Sequence, residues 1–175
     1  MTAEDWYKKF YETYKSYEKT HQNQVKKAMP LDSSWSSIME TVLSEMAKSE
    51  SYKQSGKLRG APGVDIHWKK PGHTVAIEHE NRRDQIYSEI ANLCQDNSDL
   101  KVLITYASDE DFVPNVYKMA SSCARDLSKN GFGKGEFLLI VGGTEYDWEG
   151  FRFKFRAQPV PLKVGGAGLY EHSRQ

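Results

Sequence analysis

The chain has 175 residues, 38% of them hydrophobic and 27% charged, which suits one soluble globular domain with a core of its own and excludes a disordered or fibrous chain. Its 24 basic and 24 acidic side chains cancel, so bulk charge says nothing for or against nucleic acid; only clustering on one face would matter. No run approaches the ~18 apolar residues of a membrane span. The polar N-terminus lacks the apolar stretch of a signal peptide, so the expected location is the cytoplasm.

In chain order, residues 2–28 read as a helix in which Trp6, Phe10, Tyr14 and Tyr17 form an aromatic stripe. Such a stripe either packs on the domain or docks a protein partner or a second copy of the chain. Pro30 and the run Leu31-Asp32-Ser33-Ser34 mark a break and an N-cap. A second helix is expected over 35–52, with Trp35, Ile38, Met39, Val42 and Met46 on its apolar face and Glu45 at the rim. The glycine-rich stretch 55–63 is a loop, with room for a short strand near Leu58.

Two strands follow, 64–68 and 74–80, joined through Lys69-Lys70-Pro71-Gly72 as a hairpin. The period then becomes helical over 83–95, with Ile86, Ile90 and Leu93 as the seam and Asn81 as a cap. Residues 101–107 and 136–142 are apolar runs suited to strands covered on both faces. Between them a helix over 113–129 stops at Asn130-Gly131. Residues 151–155 alternate aromatic and basic side chains as an edge strand, and the segment from Pro159 reads as irregular. Cys94 and Cys123 fall in helices, outside any metal-ligand spacing, and are expected as free thiols. This order predicts an α/β (α+β) domain, a mixed sheet flanked by helices. Its expected parts are a helical extension over 1–30, a core over 35–157 and a tail over 158–175.

The segments Gly63-Val64-Asp65-Ile66-His67-Trp68 and Val75-Ala76-Ile77-Glu78-His79-Glu80-Asn81 carry the chemistry. Alternation puts Asp65 and His67 on one face of the first strand, and Glu78 and Glu80 on one face of the second. Paired as a hairpin, the strands let Asp65, Glu78 and Glu80 converge. Three converging carboxylates repel one another and call for a cation, and hard oxygen ligands favour Mg²⁺ or Mn²⁺. A solvent-facing side of a hairpin would show the same alternation. His67 is a ligand or a base on that face, or simply a polar surface group, whereas His79 points the other way and packs in the sheet. Arg82 and Arg83, after the acidic strand, are candidates for substrate phosphate, with Arg59, Lys69 and Lys70 flanking the hairpin. Glu89 is a further acid that approaches from the following helix. The run Gly-Phe-Gly-Lys-Gly at 131–135 has no phosphate-loop spacing.

Asp65, followed across a hairpin by Ile77-Glu78-His79-Glu80 and a helix, resembles the motif of the PD-(D/E)xK nuclease superfamily. The succession of helix, hairpin, helix and strand over 35–107 is similar to that family's core. The resemblance implies a restriction-endonuclease-like fold with an extra N-terminal helix, and a magnesium-dependent hydrolase that cuts nucleic-acid phosphodiester bonds, DNA above all. It implies Asp65, Glu78 and Glu80 as metal ligands and catalytic residues, with Glu45 as a supporting acid from the preceding helix. The departure is Glu80, which stands where the family carries lysine. Glu80 would hold a second metal or orient the attacking water, and Lys70, Arg82 or Arg83 would have to supply the missing positive charge. The alternative implied by that departure is a catalytically inactive module of the same fold, binding nucleic acid or a protein.

Overall fold

The computed structural model describes residues 1–28, 33–58, 63–82, 84–106, 135–142, 148–153 and 160–162, together with 115, 118, 119, 121, 122 and 125. The elements are α1 (Ala3–Thr20), α2 (Gln22–Lys27), α3 (Ser33–Ser49), β1 (Lys53–Gly56), β2 (Ile66–Lys70), β3 (His73–Glu80), α4 (Ile86–Gln95), β4 (Leu100–Tyr106), β5 (Glu136–Gly142), β6 (Trp148–Phe153) and β7 (Val160–Leu162). The seven strands form one sheet in sequence order. β1, β2 and β3 make an antiparallel meander, β3, β4 and β5 run parallel, and β6 and β7 return antiparallel. The sheet is therefore mixed and flanked by helices.

Alternation along the strands divides the core in two. Trp68, Val75, Ile77, Val102, Ile104, Leu138 and Ile140 face α1 and α3. Ala76, Leu103, Phe137, Leu139 and Val141 face α4, where Ile86, Ile90, Leu93 and Cys94 close the second core. β4 and β5 are apolar on both sides because both faces are covered.

α1 is an integral layer, not an extension. Trp6, Phe10 and Tyr14 are fully buried, and Phe10 stands edge-on to Trp148 at 5.1 Å. Trp6 meets Trp68 at 5.6 Å. The N-terminus of α1 is fixed by a Thr2–Asp5 capping box and by Ala3 N–H donating to the Glu136 carboxylate at 2.8 Å, a favourable place for negative charge. The aromatic stripe is thus spent inside the molecule, packed on the domain as the first of its two readings has it. The long helix expected over 2–28 breaks at His21, whose ring stacks on Tyr17 at 4.2 Å and whose backbone leaves the helical region.

Other differences are local. β1 lies just before Leu58, and the side chain of Gln54 on β1 accepts from Trp68 at 3.1 Å. The β2–β3 connection shrinks to Pro71-Gly72, with Gly72 at φ 74°, because Lys70 and His73 still pair; proline then glycine with positive φ is the chemistry of a type II turn. α4 begins at Ile86 without a side-chain cap, so Asn81 does not cap it. β7 falls in the segment expected to be irregular. The helix expected over 113–129, its Asn130-Gly131 stop, the glycine run at 131–134, and Cys123 lie wholly or mostly outside the described residues. Met119, which is described, packs on the α4 side of the sheet. Cys94 is buried against α4's side of the sheet.

Candidate functional site

The β2–β3 pairing sets the geometry. Ile66 lies opposite Ile77 and His67 opposite Ala76, which brings Asp65, one residue before β2, beside Glu78. Both point to the α4 face, since Ile66 and Ile77 take the other. Asp65 N–H donates to Glu78 Oε2 at 3.2 Å, and His79 N–H donates to Asp65 Oδ2 at 3.3 Å. Each carboxylate is therefore held by a backbone N–H of the opposite strand segment, Glu78 by Asp65 and Asp65 by His79. Glu80, two residues further along β3, shares that face and accepts from Arg82 N–H.

Glu78 is 2% exposed, its Oε1 has no N–H donor against it, and its carboxyl also hydrogen-bonds those of Asp65 and Glu89. A buried carboxylate in that condition is costly as an anion. Burial, then the charges of Asp65 and Glu89, push the Glu78 carboxyl up to about 10. Burial, opposed by the His79 N–H and reinforced by Glu89 and Glu80, raises Asp65 to about 6. Burial and Glu89 also raise Glu80, against the Arg82 N–H. Glu89, on α4, is thus the common neighbour of all three acids, held from behind by Asn92 Nδ2 donating at 3.1 Å. The site is four carboxylates, three from the hairpin and one from the helix. Among the described residues, no three side chains of His, Cys, Asp or Glu are drawn close enough to enclose a metal ion.

Other sequence candidates fall elsewhere. Glu45 does not join the cluster. α3 packs on the opposite face of the sheet, and Glu45 is exposed there, close enough to Tyr17 to raise its hydroxyl pKa behind the larger effect of burial. Lys70 also faces away, because it shares a side with Trp68: its Nζ donates to Glu50 O at 3.3 Å and lies 4.2 Å from the Tyr52 ring centre. Arg82 is exposed and paired with Asp84 at 2.8 Å. Arg83 and Arg59 lie outside the described residues. His79 packs as alternation required, its Nε2 2.6 Å from Tyr106 Oη, with burial holding its pKa down to about 4.

His67 is on the carboxylate face, but its Nε2 is 2.8 Å from Asp96 Oδ2 at the end of α4. Burial pushes Asp96 up, yet hydrogen bonds from His67 and Ser98 outweigh it and leave the carboxyl below its ordinary value. Lys101 is fully buried in the same transverse row as His67 and Ala76, with Nζ donating to Ser98 O at 2.8 Å. Nothing in the run KVLITYA singles this lysine out, because the run reads as uniform strand core. Glu89 approaches from the following helix as its place beside the apolar seam suggests, and it is near enough to Asp65, Glu78 and Glu80 to raise all three.

No protein-family model matches the chain, and no curated protein sequence matches it.

Proposed function

We propose that the protein is a divalent-cation-dependent phosphodiester hydrolase acting on nucleic acid, DNA in the first instance, with Asp65, Glu78 and Glu80 as its centre. The observation that carries this reading is Glu78: a carboxyl buried against two other acids, with one oxygen given no N–H donor. A protein has little structural reason to bury such a group, and a cation satisfies it. The donor set fits Mg²⁺ or Mn²⁺, which take carboxylate oxygen. Asp65 and Glu78 would hold the ion, with Glu89 as their common neighbour. Such an ion supplies Lewis-acid stabilisation of phosphate charge and acidifies water.

The chain's own residues do the rest. Asp65 and Glu78 are braced by backbone N–H groups, so their carbon framework is preorganised. Glu80, with a raised pKa, suits acceptance of a proton from the attacking water. The order α3, β1, β2, β3, α4, β4, with an antiparallel hairpin followed by a parallel crossover, agrees with the PD-(D/E)xK resemblance and supports a restriction-endonuclease-like core.

A non-catalytic module of that fold is the second reading, and a specific observation favours it. Lys70 turns away from the acids and Arg82 is spent on Asp84, so neither supplies the cation that Glu80 displaced. Cleavage decides between the two. Plasmid and single-stranded circular DNA, incubated with the protein in 5–10 mM Mg²⁺ or Mn²⁺ (roughly the excess that saturates a weak carboxylate site), should be nicked or degraded. Asp65→Asn and Glu78→Gln should each lose at least about a hundredfold, as removal of a transition-state contact does. Retained binding with no cleavage by the wild type would establish the non-catalytic module.

A further inference from the structure

We propose that the uncovered face of the β1–β2 wing is the track for a nucleic-acid strand, with Lys53 and Lys69 gripping its phosphates beside the carboxylate centre. This rests on the reading of that centre as a phosphodiester site.

The register defines the surface. Gln54 and Trp68 pair and point toward α3, where the Gln54 amide also reaches Ser44 at 3.3 Å. Lys53 and Lys69 pair in the next position and so share the opposite face, the one that holds Asp65 and Glu78. Between them and the acids lies the row of Ser55 and His67. α4 covers β3 and β4, and Lys53, Ser55 and Lys69 are all exposed. The acids and the lysines are four residues apart along β2, about 14 Å.

Two lysines directly opposite on one sheet face repel each other and weaken the pairing. A hairpin ordinarily places an acid in one of those positions. Neither lysine makes an ion pair among the described residues. Asp99, beside the Thr74 that pairs with Lys69, is committed to Thr74, whose N–H and hydroxyl both donate to it, at 2.8 and 3.0 Å. The pair thus presents unneutralised positive charge on the face that carries the acidic centre. A polymer with a repeating negative charge satisfies both ends: one phosphate at Asp65 and Glu78 with the cation, and its neighbours along β2 toward Lys53 and Lys69. Ser55 and His67, in between, offer hydrogen bonds to sugar and phosphate oxygens. The position of the wing, one meander strand beyond the site, makes it a substrate-positioning surface and not part of the reacting set.

The test is fluorescence anisotropy with a labelled oligonucleotide, single-stranded and duplex, in Ca²⁺ to hold the substrate uncut, across 50–300 mM salt (spanning the range in which phosphate contacts are lost). The Lys53→Ala/Lys69→Ala variant should bind about tenfold more weakly at low salt, with its log–log salt slope reduced by about 1.4 on single strands or about 1.8 on duplex. The Lys8→Ala/Lys48→Ala variant, altered on the helices of the other face, should bind like the wild type. Calorimetric Mn²⁺ binding should be the same in all three proteins, and circular dichroism should show all three folded. Unchanged affinity and slope in the Lys53/Lys69 variant, with the wild type binding well, would overturn the track and leave the centre standing. Lysine-dependent binding by a protein that cleaves nothing would support the track while sinking the hydrolase. A wild type that ignores both oligonucleotides, or that prefers an acidic peptide over them, would overturn both.

Discussion

At the residue scale, Glu78 organises the site. Its carboxyl is raised to about 10, so near neutral pH the cation-free protein holds a proton there that the unfolded chain would release. The sign follows: an acid with a raised folded-state pKa gives a contribution that is most favourable below about pH 4.5 and is lost as the pH climbs toward the folded value. Glu78→Gln removes this burden. In urea unfolding without metal, the variant should gain on the order of 1–3 kcal/mol over the wild type at pH 8, with the gain shrinking toward pH 5. A gain that does not change with pH would contradict the assignment. Lys70→Ala, by contrast, touches only the Tyr52 ring and Glu50 carbonyl on the far side. It should cost about 0.5–1 kcal/mol of stability and leave Mn²⁺ affinity and cleavage unchanged, which paired unfolding and calorimetry would check. Glu45→Ala should likewise leave both unchanged, because Glu45 lies across the sheet from the acids.

At the scale of elements, the hairpin was legible and the helices around it less so. Period-two alternation around Asp65, Glu78 and Glu80 defined the face because Ile66, Trp68, Val75 and Ile77 had to be buried, and a one-residue slip would have exposed all four. The same argument placed His79 correctly. Period two also puts Lys70 on the side of Ile66 and Trp68, away from the acids, so nearness in sequence alone made it a candidate. Glu45 failed because a helical period gives the buried face but not which side of the sheet the helix covers. The division of the first helix at His21 and the entry of β1 depend on tertiary packing that local propensity does not encode. α1 itself is held by burial. Phe10→Ala, which empties a space between Trp6, Tyr14 and Trp148, should cost about 3–5 kcal/mol in urea unfolding. A loss near zero would mean α1 is an appendage after all.

At the scale of the whole molecule, the sheet divides labour between its faces. The α1–α3 face holds the larger core, with its tryptophans, and fixes the meander in register. The α4 face keeps the polar groups: Glu78 with three further acids around it, the His67–Asp96 pair, buried Lys101, and the exposed lysine pair of the wing. Among the described residues no helix is long and apolar enough to cross a membrane. The neutral overall charge conceals this segregation, which is why composition was silent about partners. The central claim is that the carboxylate cluster is a cation site, and calorimetric titration of Mn²⁺ and Mg²⁺ into the wild type and an Asp65→Ala/Glu78→Ala variant tests it most directly. The wild type should bind with proton release near neutral pH, because Glu78 must give up its proton to the metal, and the variant should not bind. A wild type that takes up no cation with oligonucleotide present, or a variant that binds equally well, would contradict the account.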